Sequence, residues 1–291
     1  MTKVLSHRPS IAALLTFALL ALTAFIQPAF ADTTSTLLPT ADGAYTAWTP
    51  STGTSHFSLV NEASCNGATN YVSTTVVGNK DAYSVSLAGV PTGATITRID
   101  ITPCASNNTS GSGGSTLNVF YRANGADSSV AGAYALTGTT PTALASTAFT
   151  GLSIVKTATS TLQIGEVLSA GTKGARVSRI AATVTYTPVT PVTTTNAASS
   201  VGTTTATLNG AANPNSATTT GWFRYATTTP GTCTDAFGTK VGGSNIGAGT
   251  TSVNFAQGLS GLALSTTYYY CAIAANSGGT TTGSVVSFIT N

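Results

Sequence analysis

Short segments in which every second residue is hydrophobic, separated by glycine-rich breaks, constrain this fold more than any other feature. Tyr83, Val85 and Leu87 occupy one such set of alternate positions, and Leu117 and Val119 belong to another. Because successive side chains of a strand point to opposite faces, this period of two is typical of strands with one buried face. No segment has the 3.6-residue spacing of a helix, and only 7% of the residues are charged. The sequence therefore predicts an all-β protein.

Two prolines suggest where the chain divides. Pro188 and Pro191 lie in the extended Thr and Val context of residues 187–192, which suits a short, stiff connector. Residues 32–187 and 188–291 would then form two domains of ordinary size. The first has eight or nine strand candidates, and together with its length they favour a jelly-roll-like β-sandwich over a seven-stranded one. We expect two β-sandwich domains after an N-terminal leader.

The N-terminus has the pattern of a signal peptide, which we assign to residues 1–31. Lys3 and Arg8 precede an apolar run from Ile11 to Ile26, and Ala29-Phe30-Ala31 supplies the small residues of a cleavage site. The alternative is a membrane anchor, but the run is shorter than the roughly 20 residues needed to span a bilayer. We therefore expect an extracellular or cell-surface protein that begins at Asp32, without stable membrane insertion after cleavage.

Charge argues against a nucleic-acid partner. Without the leader the chain would have 9 basic and 8 acidic residues, and phosphate recognition requires clustered Lys and Arg. The nearest approach to a cluster is Lys173, Arg176 and Arg179. A strand does not place all three on one face, so we interpret them as a solvated edge.

Four cysteines in an exported protein predict two disulfides. Three pairings are open, and pairing within each predicted domain is the simplest. It joins Cys65 to Cys104 and Cys233 to Cys271. The chain has no Cys-x-x-Cys motif, so neither a redox motif nor a zinc site is indicated.

The C-terminal part has a set of motifs that identify a family. It contains Ala206-Thr207-Leu208-Asn209-Gly210, Gly221-Trp222-Phe223-Arg224-Tyr225 and the segment LSGLALSTTYYYCAIAAN at 259–276. Residues 188–291 resemble a bacterial fibronectin type III domain. The resemblance implies that Leu262, Thr266 and Tyr268 form the corner before the penultimate strand, where a tyrosine hydroxyl bonds backbone. It also implies a spacer or adhesion module, of a kind common on surface proteins and polysaccharide-degrading enzymes.

The N-terminal part has looser motifs: Asn70-Tyr71-Val72, Asp81-Ala82-Tyr83-Ser84-Val85 and a closing strand at 176–186. They resemble the jelly-roll-type modules that accompany such repeats in secreted bacterial surface proteins. The resemblance implies a second β-sandwich with a surface role.

Little in the sequence supports catalysis. His56 is the only histidine outside the leader, and it alternates with Phe57 as a strand residue would. A Gly-x-Ser-x-Gly motif is missing and the acidic residues are scattered singly. We therefore predict no enzyme, no catalytic residue and no bound cofactor, although scattered acids can converge in a fold and a hydrolase stays an alternative.

The sequence is still compatible with a calcium site, because jelly rolls often hold a structural calcium ion with oxygen atoms of their loops. Asp42, Glu62 and Asp81, all expected at strand ends, are the candidate ligands. The alternative is that each carboxylate caps a turn or faces water.

Aromatic residues of the N-terminal domain could bind sugars, since apolar sugar faces stack on aromatic rings. The candidates are Tyr45, Trp48, Phe57 and Tyr71, with core packing as the alternative for the set. Trp48 is the first choice for an exposed ring because it leads directly into a turn at Thr49-Pro50.

These observations together predict a secreted, non-catalytic adhesion, glycan-binding or presenting protein whose partners are polysaccharide or other surface proteins. The alternative is a structural subunit that associates with itself into a filament or surface layer, which a low-charge, Thr-rich surface would suit. Glycan binding without self-association would favour the first.

Overall fold

The protein is almost entirely β-structure in a computed structural model that describes residues 31–65 and 69–291. The predicted signal peptide lies outside these residues except for Ala31. Among the described residues no helix is long and apolar enough to cross a membrane. The helical element of the described residues is a short 3-10 turn at Phe57–Leu59.

Residues 32–187 form the N-terminal sandwich. Its strands, numbered along the chain, are β1 (Asp32–Thr33), β2 (Pro39–Thr46), β3 (Thr49–Pro50), β4 (Val72–Thr74), β5 (Lys80–Val85), β6 (Thr95–Asn107), β7 (Ser115–Ala123), β8 (Ala126–Asp127), β9 (Ala131–Ala135), β10 (Thr142–Ala143), β11 (Thr147–Val155), β12 (Leu162–Gly171) and β13 (Ala175–Thr187).

These strands form two antiparallel sheets that pack face to face. Sheet A has the order β10-β6-β13-β4-β3, with β1 also paired to β13 and β11 to β6. Sheet B has the order β2-β5-β12-β7-β8, with β9 paired to β7. The core between them takes Leu117 and Val119 from β7, Ile164 from β12, and Ile180 and Val184 from β13, all fully buried. The alternation predicted for Leu117 and Val119 is confirmed, and the fold is a jelly-roll-like β-sandwich.

Residues 192–289 form the C-terminal sandwich. Its strands are β14 (Val192–Ser199), β15 (Thr205–Asn213), β16 (Thr219–Ala226), β17 (Thr239–Gly247), β18 (Val253–Ser260), β19 (Thr267–Asn276), β20 (Gly279–Thr282) and β21 (Val286–Ile289). Sheet C has the order β14-β15-β18, and sheet D has the order β17-β16-β19-β20, with β21 also on β19. The result is a fibronectin type III-like sandwich.

A tyrosine corner precedes β19, as the family resemblance implies. The backbone N–H of Ala263 donates to the Tyr268 hydroxyl oxygen at 2.9 Å. The Tyr268 ring stacks on Phe288 at 5.5 Å between centroids and an interplanar angle of 16°. Tyr270, on the same face of β19, donates its hydroxyl to the carbonyl of Asn196 on the facing sheet. These bonds tie the crossing segment and sheet C to the core of sheet D.

Both disulfides have the pairing that the sequence predicts, Cys65–Cys104 and Cys233–Cys271. Cys233 lies in the segment between β16 and β17, and its partner is fully buried on β19. Cys271 packs there with Trp222, Phe237 and Ile273 in a small second core on the outer side of sheet D. Two disulfides indicate folding in an oxidising compartment.

The connector between the sandwiches is held by side chains of the C-terminal sandwich. The carbonyl of Val189 accepts from Asn276 Nδ2 at 3.0 Å, and that of Thr190 accepts from Asn215 Nδ2 at 2.7 Å. The Pro191 carbonyl accepts from the Thr281 hydroxyl at 3.0 Å. Three successive carbonyls therefore have a protein donor, and this segment is not a free tether.

Candidate functional site

The candidate site lies on the outer face of sheet B, where the chain of β2 crosses over β5. The pairing of β2 with β5 is interrupted between Asp42 and Thr46, and Gly43 lies directly on β5. A Cβ atom at Gly43 would come within 2.6 Å of the Ala82 carbonyl oxygen, so the crossing requires glycine here. The backbone N–H of Ala44 donates to Gln163 Oε1 at 2.9 Å. The crossing therefore positions the next residue, Tyr45, on the outer surface of the sheet.

Tyr45 meets a cluster of charges there. Asp127 Oδ2 accepts from the Tyr45 hydroxyl at 2.8 Å and from Lys80 Nζ at 2.8 Å. Asp127 Oδ1 accepts from Arg122 Nη1 at 2.6 Å. Burial alone would raise the pKa of Asp127, but the hydrogen bonds from Lys80, Arg122 and Tyr45 lower it to about 2. The Asp127 carboxylate is thus ionised at any physiological pH.

Aromatic rings lie beneath these charges. The Tyr45 ring meets Phe120 edge to face at 6.0 Å between centroids, and Phe120 is fully buried. Lys80 Nζ lies 4.8 Å from the Phe120 centroid and 5.0 Å from that of Tyr45. Gly165 leaves room for the Phe120 ring, since a Cβ atom there would come within 2.7 Å of it. We call the set Tyr45, Lys80, Phe120, Arg122 and Asp127 the Tyr45 face.

The Tyr45 face combines a half-buried aromatic ring with charged donors at its rim. The side chains of Lys80, Arg122 and Asp127 keep 29%, 25% and 22% of their surface exposed. Such a surface can stack the apolar face of a sugar ring on tyrosine and bond its hydroxyls at the rim.

The structure separates the other predicted sugar-binding aromatics. Tyr71 lies at the opposite face of the sandwich, beside β4 of sheet A, with the Arg176 guanidinium 4.0 Å from its ring centroid. Phe57 packs partly buried against the core. Tyr45 and Tyr71 therefore do not share a binding surface.

The expectation that Trp48 is an exposed binding residue is wrong. Trp48 is 3% exposed and belongs to the core of the N-terminal sandwich. Its indole Nε1 donates to the Asn79 carbonyl at 3.0 Å, and its backbone N–H points to Asp81 Oδ1 at 3.3 Å. Because Asn79 leads into β5, these bonds turn the Trp48 ring inward.

The three calcium candidates do not converge either. Asp42 Oδ1 accepts from the backbone N–H of Phe57 at 2.6 Å, and Glu62 Oε1 accepts from Asn70 Nδ2 at 3.1 Å. Asp81 is fully buried on β5, not at an exposed strand end. The described residues contain no group of three or more His, Cys, Asp or Glu arranged to hold a metal ion. Asp42, Glu62 and Asp81 therefore do not form a shared calcium site.

Asp81 belongs instead to a buried polar network. His56 Nδ1 lies 2.6 Å from Asp81 Oδ2, and the Tyr83 hydroxyl lies 3.1 Å from the same oxygen. The Tyr83 hydroxyl is also 2.6 Å from Glu166 Oε1. Burial and the nearby Asp81 charge raise the pKa of Glu166 well above its ordinary value. Within the described chain Asp81 is the only side chain that bonds the His56 ring, and His56 precedes a 3-10 turn and does not lie in a strand.

The sequence analysis proposes Tyr45 as a candidate but does not predict the residues that surround it. Asn118, Phe120 and Arg122 alternate with the inward residues of β7, and this signal places Phe120 and Arg122 on one outward face. Lys80 and Asp127 contact Tyr45 only because β2 crosses over sheet B. No pattern of neighbouring residues in the sequence predicts this crossing.

Comparison with known proteins gives no family. No protein-family model matches the chain, and curated proteins provide no match. Among solved structures, the chain is similar to the FN1-FN3 domains of chicken CNTN1, at 12% identity, with coverage of 91% of this chain and 96% of that chain and a TM-score of 0.30. It is also similar to the CBM22-1-CBM22-2 tandem domain of Paenibacillus barcinonensis Xyn10C, at 10% identity, 88% and 98% coverage and a TM-score of 0.32. Likenesses this low carry no argument, so the function rests on the geometry.

Proposed function

We propose that this chain is an exported, non-catalytic protein that binds polysaccharide through the Tyr45 face of its N-terminal sandwich. The observation that carries the proposal is the Tyr45 ring, half-buried over Phe120 and held by its hydroxyl to Asp127. A ring fixed in this way loses little conformational freedom when a sugar stacks on it. The C-terminal sandwich serves as a spacer or presenting module.

The non-catalytic part of the proposal is supported by the surroundings of His56. Its Nδ1 atom pairs with the buried Asp81, and among the described residues no hydroxyl bonds to its ring. A nucleophile needs a base within hydrogen-bonding reach. The second buried acid, Glu166, lies behind Tyr83 in the core. The enclosure of these groups in the core supports the proposal that they do not act on a substrate.

Export is supported by the two disulfides and by the sequence pattern of residues 1–31. The surface role is consistent with both, because a polysaccharide-binding protein meets its ligand outside the cytoplasm.

Retention on immobilised polysaccharides tests the proposal. Tyr45→Ala should weaken retention of the mature chain by about tenfold, the loss of one stacking contact. Tyr71→Ala is the matched control, since Tyr71 is a half-buried tyrosine on the opposite face. Unfolding of both variants is measured in parallel. Equal retention of wild type and Tyr45→Ala on every polymer that the protein binds would contradict the proposal.

A structural subunit is the second candidate, and one observation favours it. The only charged residues between 192 and 291 are Arg224, Asp235 and Lys240, and they gather around Trp222 on the outer side of sheet D. The edge strands of sheet C, β14 and β18, thus contain neither charge nor proline, the usual protection against edge-to-edge pairing. Sizing over a range of concentrations tests it, with growth into multimers as the supporting result.

A further inference from the structure

The charges of the Tyr45 face do not balance. Lys80 and Arg122 share a single carboxylate, that of Asp127, so the face carries one excess positive charge. The nearest other acids on these strands, Asp81 and Glu166, point to the opposite side of sheet B and are fully buried. The outer surface is therefore positive in a chain that is otherwise close to neutral.

The two cations also have donors to spare. An ammonium group has three protons and a guanidinium five N–H groups. In the described part of the chain, Lys80 Nζ bonds only Asp127, and Arg122 bonds Asp127 and, at 3.5 Å, the Tyr45 hydroxyl. None of their donor atoms is among the buried unpaired side-chain atoms of the described residues, and both side chains are partly exposed, so the remaining donors are open to solvent.

Asp127 occupies the position that a ligand carboxylate would take. It lies on the two-residue strand β8, at the end of a tight hairpin turn through Asn124 and Gly125, which have φ values of 49° and 87°. Its two oxygens bond Lys80, Arg122 and Tyr45 beside the stacking ring. A sugar that carries a carboxylate can place its ring on Tyr45 and its charge beside the same two cations.

We infer that the ligand of the Tyr45 face is an acidic polysaccharide whose uronate carboxylate pairs with Lys80 and Arg122 in competition with Asp127. The inference rests on the proposed function and names its substrate class. Charged hydrogen bonds to a carboxylate are the strong contacts available here, while stacking on Tyr45 does not distinguish charged from neutral sugars.

Matched polymers provide the test. The mature chain is titrated with polygalacturonate, polymannuronate and polyglucuronate, each beside its fully methyl-esterified form, which keeps the sugar ring and removes the charge. At least one acid should bind about three- to tenfold more tightly than its ester, a preference of one or two partly exposed ion pairs. The preference should decrease as salt is added.

Variants assign that preference to named residues. Arg122→Gln should bring the ratio of acid to ester affinity close to one. Arg98→Gln is the matched control, because Arg98 is also paired with an aspartate, Asp100, but lies on β6 of sheet A. Asp127→Asn should raise the ratio by about two- to fivefold, since it removes the competing carboxylate. The ratio is unaffected by any general loss of affinity in these variants.

Each contrary result has a distinct meaning. Equal binding of acids and esters, with both weakened by Tyr45→Ala, would overturn this inference and leave the proposed function standing. An equal loss of preference in Arg98→Gln, or equally tight binding of dextran sulfate, would show unspecific attraction to polyanions and also overturn it. Binding that Tyr45→Ala does not change would contradict the proposed function as well. No binding of any acid would overturn this inference alone, because the proposed function also allows neutral polysaccharides.

Discussion

The Tyr83 hydroxyl lies 2.6 Å from Glu166 Oε1 in the core of the N-terminal sandwich, where both side chains are fully buried. The same hydroxyl is 3.1 Å from Asp81 Oδ2. One hydroxyl has one proton, so both contacts are hydrogen bonds only when a carboxyl group carries a second proton. Burial raises the pKa of both acids, but the hydrogen bond and charge of His56 lower that of Asp81, whereas the Asp81 charge raises that of Glu166 further. We therefore expect Glu166 to hold the extra proton and to donate it to the Tyr83 hydroxyl, which donates in turn to Asp81.

The free energy of unfolding should depend on pH because of the proton held by Glu166. Because burial raises the pKa of Glu166, the folded state keeps a proton that the unfolded state releases near pH 4.3. The free energy of unfolding should then fall by up to about 1.4 kcal/mol per pH unit as the pH rises from there to the folded pKa. Glu166→Gln mimics the protonated acid and should flatten this decline in urea unfolding from pH 4 to 9. Parallel curves for wild type and variant would contradict a protonated Glu166.

Trp48→Ala should destabilise the N-terminal sandwich by about 3 to 5 kcal/mol, the cost of a large cavity in a packed core. The buried ring and its bond to the Asn79 carbonyl are the reason. Retention on polysaccharide per folded molecule should stay unchanged. A variant that unfolds like wild type but loses retention would return Trp48 to the binding surface.

Tyr268→Phe should destabilise the C-terminal sandwich by about 1 to 3 kcal/mol, because the Ala263 N–H loses its acceptor. Tyr269→Phe is the control on the same strand, since its side chain packs on the outer side of sheet D. Denaturant unfolding of both variants in the full chain measures the difference. Equal stabilities would show that the corner bond contributes nothing.

The mature chain should begin at Asp32, because residues 1–31 have the pattern of a signal peptide. N-terminal sequencing of the protein recovered outside cells measures this directly. Extracellular protein that retains Thr2 or Lys3 would contradict the assignment.

The alternation of hydrophobic residues was sufficient to predict the strands, but not to predict which side chains lie at the surface of the candidate site. Tyr83, Leu117 and Val119 are inward as the alternation predicts. Trp48 was misplaced because the following Thr49-Pro50 indicates a turn without showing that the Asn79 carbonyl, distant in sequence, holds the indole.

Residues of the Tyr45 face could be predicted only in part for a similar reason. Tyr45 and Asp127 are 82 positions apart, and they meet only because β2 crosses β5 at Gly43. The buried Glu166 was missed because charged residues are almost never fully buried unless paired. Its partner Tyr83 alternates with Val85 and Leu87, a pattern that indicates an ordinary core residue and gives no sign of a buried acid beside it.

Amide chemical shifts of the isotope-labelled mature chain, recorded during titration with an acidic polysaccharide, locate the binding surface. We expect shift changes confined to the crossing at residues 43–47, the end of β7 at 120–123 and the Asp127 hairpin. In Tyr45→Ala the same changes should require about tenfold more polysaccharide, while the rest of the spectrum stays as in wild type. Changes that instead lie around Tyr71 and Arg176, or in the C-terminal sandwich, would contradict the assignment of the Tyr45 face as the binding surface.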